Sequence, residues 1–358
     1  MTRLVVRHLF LLITGAVAGS VFGASVADFG AAGDGLSDDT SAIQSAINAL
    51  QVHESLYFPS GVYRLTRTLR LLPDRNYLGG DGAVLEGPGN MFLAATIPNQ
   101  ARDIVIYNLV FDRGGLLVDG GGMPASGMNI TSCTFQNIVS SSPNWTVHNG
   151  ITIVSGLRDS LIARNRFQNI LEQGLADSKD RTANGIVGWR IERSTICDNT
   201  FDTVNQAISL QFDGPGPYDE VFVLRNQGRR VHRMGIEMQG ANTNGLTVEE
   251  NEFRDFLNPF WNTFGLSIAV DGGYGAVIRN NTLDGTPAPA RGRYGYGIEV
   301  GGKSSLVEGN TISGFFVMGI AIGNAPNVVV RGNRLSGSPG AQTIGFEGQP
   351  PPGAVIER

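Results

Sequence analysis

From about residue 100 onward, two short patterns of polar and hydrophobic positions alternate along the chain. In one, an Asn is followed two places later by an apolar residue: "ARNRF" with Asn165, "CDNTF" with Asn199, "EENEF" with Asn251, "RNNTL" with Asn281, "EGNTI" with Asn310 and "RGNRL" with Asn333. "LRNQG" at Asn226 breaks that rule through Gly228. In the other, a Gly leads into an alternating apolar run: "GITIV" from Gly150, "GIEMQ" from Gly235, "GLSIAVDG" from Gly265, "GIEVGG" from Gly297 and "GIAIG" from Gly319. "AISLQFDG" from Ala207 and "TIGF" from Thr343 are variants. A period of two means short strands with one covered face, and helical periodicity is absent from the repeats.

Successive Asn positions differ by 34, 27, 25, 30, 29 and 23 residues, a range in which one supersecondary unit stacks on its copy. Each unit is too small to fold alone. Burying every inward face predicts a solenoid of parallel strands, coil on coil at about 4.8 Å, and so a single domain where length alone would suggest two or three. Asn tolerates left-handed backbone at a turn, and stacked carboxamides can bond along the coil axis, which gives the Asn positions a structural role.

The amino-terminal region reads differently. In "VADFGAAGDGLSDDTSAIQSAINAL", residues Ala42, Ile43, Ala46, Ile47 and Leu50 recur at helical spacing and form one apolar stripe. Ser37 or Asp38 can accept from the first free N–H groups of that helix, Asp39 lies near its positive end, and "GAAGDG" supplies turns. The acidic cluster of Asp28, Asp34, Asp38 and Asp39 is therefore expected to cap and turn the chain, and the helix to cover the open end of the solenoid.

"DFGAAGDGLSDDTSAIQSAINA" followed by "LYFPSGVYRL" resembles the amino-terminal signature of the pectate-lyase-like superfamily, in the branch shared with polygalacturonases, rhamnogalacturonases, phage tailspikes and epimerase-like domains. The resemblance covers residues 26–70, and the repeats to about 346 agree with it in architecture. It implies an all-β fold: a single-stranded right-handed parallel β-helix over residues 24–358, with an N-terminal capping α-helix, a cap signature over 24–70 and coils over 100–346. It does not fix an activity, because the superfamily includes lyases, hydrolases, epimerases and non-catalytic binders. The "NTD", "DD", "GHG" and "RIK" set of polygalacturonases and the "DPH" of alginate epimerases are not found, so those catalytic residues are not carried over.

Composition narrows the function classes. A formal charge of −5 argues against a nucleic-acid partner. Arg3 and Arg7 precede an apolar run from Leu9 to about Val21, short of a spanning helix, which predicts a cleaved secretory signal over residues 1–23. The product would be secreted, periplasmic or on the cell surface, without stable membrane insertion; the oligomeric state is left open. Only Cys133 and Cys197 are present, so no disulfide framework is expected and both read as buried thiols. No nucleophilic Ser motif, phosphate loop or zinc spacing occurs.

Aligning the strands at Ile208, Ile236, Leu266 and Ile298 puts Ser209, Glu237, Ser267 and Glu299 at one outward position, with Asp213 and Asp271 four residues further along. Glu237 and Glu299 then stand two coils apart, roughly 10 Å at the backbone, while a Glu with either Asp would be on the order of 14 Å apart. Only the Glu pair approaches the separation of about 6.5–9.5 Å used by inverting glycosidases. The segments leading into these strands carry Trp145, His148, Lys179, Arg181, His232, Arg233, Trp261, Arg293, Tyr294 and Tyr296. Aromatic faces beside cations suit a sugar chain, an acidic one above all.

The sequence therefore predicts an exported protein that binds a polysaccharide and cleaves or modifies it. Glu237, Glu299, His232 and Arg233 are the catalytic candidates; Trp145, His148, Lys179, Arg181, Trp261, Asp271, Arg293, Tyr294 and Tyr296 are the substrate-binding ones. Basic and aromatic candidates outnumber well-spaced acids, which leans the reading to β-elimination of a uronate-containing glycan. Such a lyase needs a base and a cation, the latter being Arg233, Arg293 or a Ca2+ ion held by outward carboxylates. No other cofactor is implied and no metal ligands are assigned. The alternatives are a glycoside hydrolase using Glu237 and Glu299, and a non-catalytic glycan-binding or structural β-helix at the cell surface.

Overall fold

The computed structural model describes residues 23–357 apart from 75–76, 90–92, 99, 120–122, 141–147, 173–182, 213–217, 257–264, 286–294 and 316. Strand pairs with the next coil in parallel from end to end, and among the described residues 32 strands join one continuous stack. The stack outruns the repeat visible in the sequence. Ser55–Phe58 already pairs with Tyr77–Glu86, which pairs with Val105–Asp112, and the last rung sets Val355–Ile356 on Val329–Arg331.

Inward residues of successive coils lie directly over one another. Phe111, Phe135, Phe167 and Phe201 form a ladder of fully buried rings whose centroids are 4.9, 5.0 and 4.9 Å apart and nearly coplanar in tilt. That spacing is the coil repeat itself. Burying each such ring contributes roughly 1.5–3 kcal/mol, so the stack holds its register by the same contacts that stabilise it. Gly228 interrupts the ladder for a steric reason: a Cβ there would meet the Phe253 ring at 2.4 Å.

The Asn residues form a second ladder, buried from Asn165 to Asn310. Asn226 shows the unit. Its Nδ2 donates to Asn251 Oδ1 at 3.0 Å and to the Ile196 carbonyl at 3.0 Å, and its backbone N–H donates to the same Asn251 oxygen at 2.9 Å. The pattern repeats through Asn165, Asn199, Asn251, Asn281, Asn310 and Asn333, and Cys133 heads it by donating its backbone N–H to Asn165 Oδ1. The left-handed turn lies one residue earlier than expected, at Arg164, Asp198, Arg225, Glu250, Asn280, Gly309 and Gly332. The ladder Asn thus serves through its carboxamide, which satisfies otherwise orphaned buried backbone groups, and the residue before it makes the turn.

A third column explains the Gly that opens each apolar run. At Gly150, Gly185, Gly235, Gly297 and Gly319 the chain turns a corner so close to the next coil that a Cβ would strike a carbonyl oxygen at 2.5–2.7 Å or 2.8 Å, or an inward side chain nearer still. At the amino terminus the helix α1, Thr40–Ala49, buries Ile43, Ala46 and Ile47 against the first coils. Asp38 accepts from the Thr40 N–H at 3.0 Å, whereas buried Asp39 reaches back to the Ala32 and Gly33 N–H groups at 2.6 and 3.2 Å. Asp34 accepts from the Leu36 and Ser37 N–H groups, which hold its carboxyl below the usual range. These acids shape the chain, as their spacing implies.

Candidate active site

Six successive strands carry the stretch of the front face on which the candidate carboxylates lie: β1 Thr200–Gln211, β2 Gln227–Gln239, β3 Gly265–Asp271, β4 Gly295–Val300, β5 Met318–Ile322 and β6 Gln342–Phe346. Ile208, Ile236, Ile268, Ile298, Ile320 and Ile344 stack in register, so the residue after each faces away from the core. The outward column is Ser209, Glu237, Ala269, Glu299, Ala321 and Gly345. Glu237 and Glu299 are two coils apart, as expected, but Ala269 stands between them and not Ser267. Ser267 falls in the corner column of the glycines, because Gly265 pairs with Gly295 and not with Gly297.

This two-residue correction changes the chemistry. The next outward column reads Gln211, Gln239 and Asp271, and continues through Gly301 and Gly323 to Glu347, whose backbone N–H groups bond to Val270, Val300 and Ile322 in turn. Asp271 is therefore one coil and two residues from Glu299, and equally from Glu237, on the order of 8 Å at the backbone rather than 14 Å. Its side chain lies over Gly301, where a Cβ would sit 2.2 Å from Asp271 Oδ1.

The two glutamates have opposite surroundings. Glu237 is 0% exposed. Its Oε2 accepts from Gln206 Nε2 at 2.8 Å and Ser209 Oγ at 2.9 Å, and its Oε1 from Gln239 Nε2 at 3.0 Å. Gln206 is held in turn by Arg233, buried to 5%, whose Nη1 donates to Gln206 Oε1 at 2.8 Å. Arg233 reaches there because the β1–β2 pairing bulges: His232 and Arg233 together oppose Asn205, between Val204/Val231 and Gln206/Met234. Glu299 is half-buried among like charges. Burial first, then the charges of Glu347 and Asp271, push its carboxyl up to about 7, with a hydrogen bond to Glu347 and the Glu237 charge adding to the effect. Glu299 is thus held toward the protonated form that a general acid needs.

The remaining sequence candidates divide cleanly. Tyr296 lies half-buried against Met234 and Ala269, on the front face beside Glu299. His232 is half-buried, and burial lowers its pKa. His148 is fully buried, its pKa lowered by the same cause, so it presents no surface to a sugar chain. Glu237 and Arg233 are likewise buried, which leaves little of either side chain open to a sugar chain, contrary to the outward, accessible placement expected of them. Trp145, Lys179, Arg181, Trp261, Arg293, Tyr294 and Asp213 lie outside the described residues, as do residues 1–22 of the signal segment expected over 1–23. Sequence reasoning missed Gln206, Gln239 and Glu347; the signal was that each shares a column with a residue already singled out. Another groove, of about 580 Å3, opens on a different face beside Gly228, and its Arg229 and Arg254 pair with Asp202 and Glu252.

The fold and this face define a parallel β-helix protein with carboxylates on its outward columns. The profile of the "Rhamnogalacturonase A/epimerase, pectate lyase-like" family matches residues 23–216, more than half of the chain, and that of the "Right handed beta helix region" matches residues 265–350. The chain belongs to the rhamnogalacturonase A/epimerase, pectate lyase-like family, and its coil is right-handed. A glucan 1,3-beta-glucosidase of Cochliobolus carbonum is 38% identical over 64 residues, 18% of this chain and 8% of that protein. The chain thus spans less than a tenth of that relative's length. Among solved structures, a surface adhesin of Streptococcus pneumoniae superposes with a TM-score of 0.65 at 16% identity, covering 90% of this chain and 99% of the other. The A-module of a mannuronan C-5 epimerase of Azotobacter vinelandii does so at 0.55 and 15% identity, covering 94% and 100%. At such identities both show the fold alone.

Proposed function

We propose that this chain is a glycoside hydrolase that cuts a polysaccharide lying across the front face, with Glu299 as general acid and Asp271 as general base. The carrying observation is the diagonal pair itself: Asp271 one coil and two residues from Glu299, whose carboxyl is held up to about 7. Glu299 gives its proton to the leaving glycosidic oxygen. Asp271 is exposed and is the carboxylate that draws a proton from the water attacking the anomeric carbon, so that one water is added across the broken C–O bond. Gln206, Gln239 and Arg233 support the face from behind through Glu237.

Elimination is the second reading, favoured by the bulge that sets His232 beside Arg233. Burial keeps the His232 imidazole neutral and able to accept a proton, but Arg233 is committed to Gln206, which leaves no described cation free beside it for the developing charge. The leader pattern around Arg3 and Arg7 supports export of one domain over 24–358 to a secreted, periplasmic or cell-surface location, and no helix among the described residues is long and apolar enough to cross a membrane. Incubation with a panel of neutral and uronate glycans tests the reading. New reducing ends without ultraviolet-absorbing unsaturated product support hydrolysis, unsaturated product supports elimination, and retention on immobilised glycan without either supports a binding module.

A further inference from the structure

Glu347 follows the last front-face strand, and its backbone N–H bonds to the Ile322 carbonyl at 3.0 Å, which sets it in the column of Asp271, Gly301 and Gly323. Its side chain lies across Gly323: a Cβ there would be 3.4 Å from Glu347 Oε2. From the opposite end Asp271 leans across Gly301. Two carboxylates three coils apart thus converge over a floor of two glycines, with Glu299 in the adjoining column and its carboxyl acted on by both. Any larger side chain at Gly301 would collide with Asp271, so the floor must stay bare.

We propose that Glu347 is a positioning residue of the hydrolytic site, a carboxylate delivered from the final coil whose charge keeps the proton on Glu299 and which accepts that proton's hydrogen bond in the free protein until the leaving glycosidic oxygen takes its place as acceptor. The inference rests on the hydrolytic reading for its purpose, but its geometry stands apart from it. Among the described residues, the charged groups that act on Glu299 are all acidic: Glu237 from β2, Asp271 from β3 and Glu347 beyond β6, while Tyr296 precedes it on β4 and β5 sets Ala321 beside it. Removing the nearest of them relieves charge and takes away the partner at once. Being exposed, Glu347 can be replaced without opening a cavity.

The test compares wild type, Glu347→Gln and Glu347→Asp by two readouts. The first is the carboxyl carbon NMR titration of Glu299 in the free protein, its signal assigned by its loss in Glu299→Gln. The second is the pH profile of kcat/KM on whichever glycan wild type cleaves. The midpoint of Glu299 and the basic limb of activity are expected to move together to lower pH in Glu347→Gln, with Glu347→Asp between it and wild type. An unmoved Glu299 titration in Glu347→Gln overturns the proposal whatever the activity. A shifted titration in a protein that cleaves no glycan sustains the Glu347–Glu299 contact and counts against the hydrolytic reading instead.

Discussion

Asp271 stands diagonally beside Glu299, one coil earlier and two residues further along its strand. That diagonal, more than the two-coil spacing of Glu237 and Glu299, concentrates negative charge where the front face meets solvent. A stability signature follows. The Glu299 carboxyl titrates near 4.5 in an ordinary setting and at about 7 in the folded chain, so the folded state holds the extra proton between those values. The stability it contributes is fully present below about pH 4.5 and is lost as pH rises through about 7. In Glu299→Gln the fall in melting temperature across that window should be shallower than in wild type; parallel curves would contradict the assignment.

The Asn ladder makes a prediction in the interior. Replacing Asn251 by Ala removes the oxygen that accepts from both the backbone and side chain of Asn226, and the donor bonded to Val223 and Asn281. Orphaned buried polar groups cost about 1–3 kcal/mol each, so a loss on the order of 3 kcal/mol is expected in the denaturant midpoint. A loss below about 1 kcal/mol would mean that the ladder is dispensable.

Corner positions separate by what already occupies them. A Cβ at Gly235 would meet the Ser267 carbonyl at 2.5 Å and the Phe253 ring at 3.0 Å, so Gly235→Ala should cost roughly 1–3 kcal/mol by overpacking. Ser267 occupies the same column one coil on with a side chain in place, and Ser267→Gly should cost less than about 1 kcal/mol. Thermal melts of the two variants decide the point, and equal effects would refute the pairing of Gly265 with Gly295.

Both thiols are buried, and burial pushes Cys133 and Cys197 up to about 12. Since the thiolate is the reactive form, native protein at neutral pH should resist a thiol reagent for as long as it stays folded, and denaturant should release two reactive groups. Rapid labelling of the native chain would show that the stack opens near these coils.

Local repetition made most of the fold readable. The Asn and Gly–apolar patterns recur because each coil repeats the same corner and the same ladder, so their periods report the stack directly. "GLSIAVDG" misled the register because Gly265 precedes the corner while Ser267 fills it, and only pairing with Gly235 and Gly297 across coils tells the two apart. Glu347 was invisible as a partner of Glu299 because the two meet over bare glycines two coils apart, a relation with no local sequence signal. The burial of Glu237 and His148 was equally hidden, since strand alternation reports direction but not what covers a side chain.

The most direct test of the acid pair is reducing-end release from a cleaved glycan by wild type, Glu299→Gln and Asp271→Asn, with glycan binding measured alongside. General acid–base groups typically contribute about 10²–10⁴-fold, so kcat should fall by at least about 100-fold in each variant while binding persists. Cleavage at the wild-type rate by either variant would show that the reaction, wherever it occurs, does not run through Asp271 and Glu299.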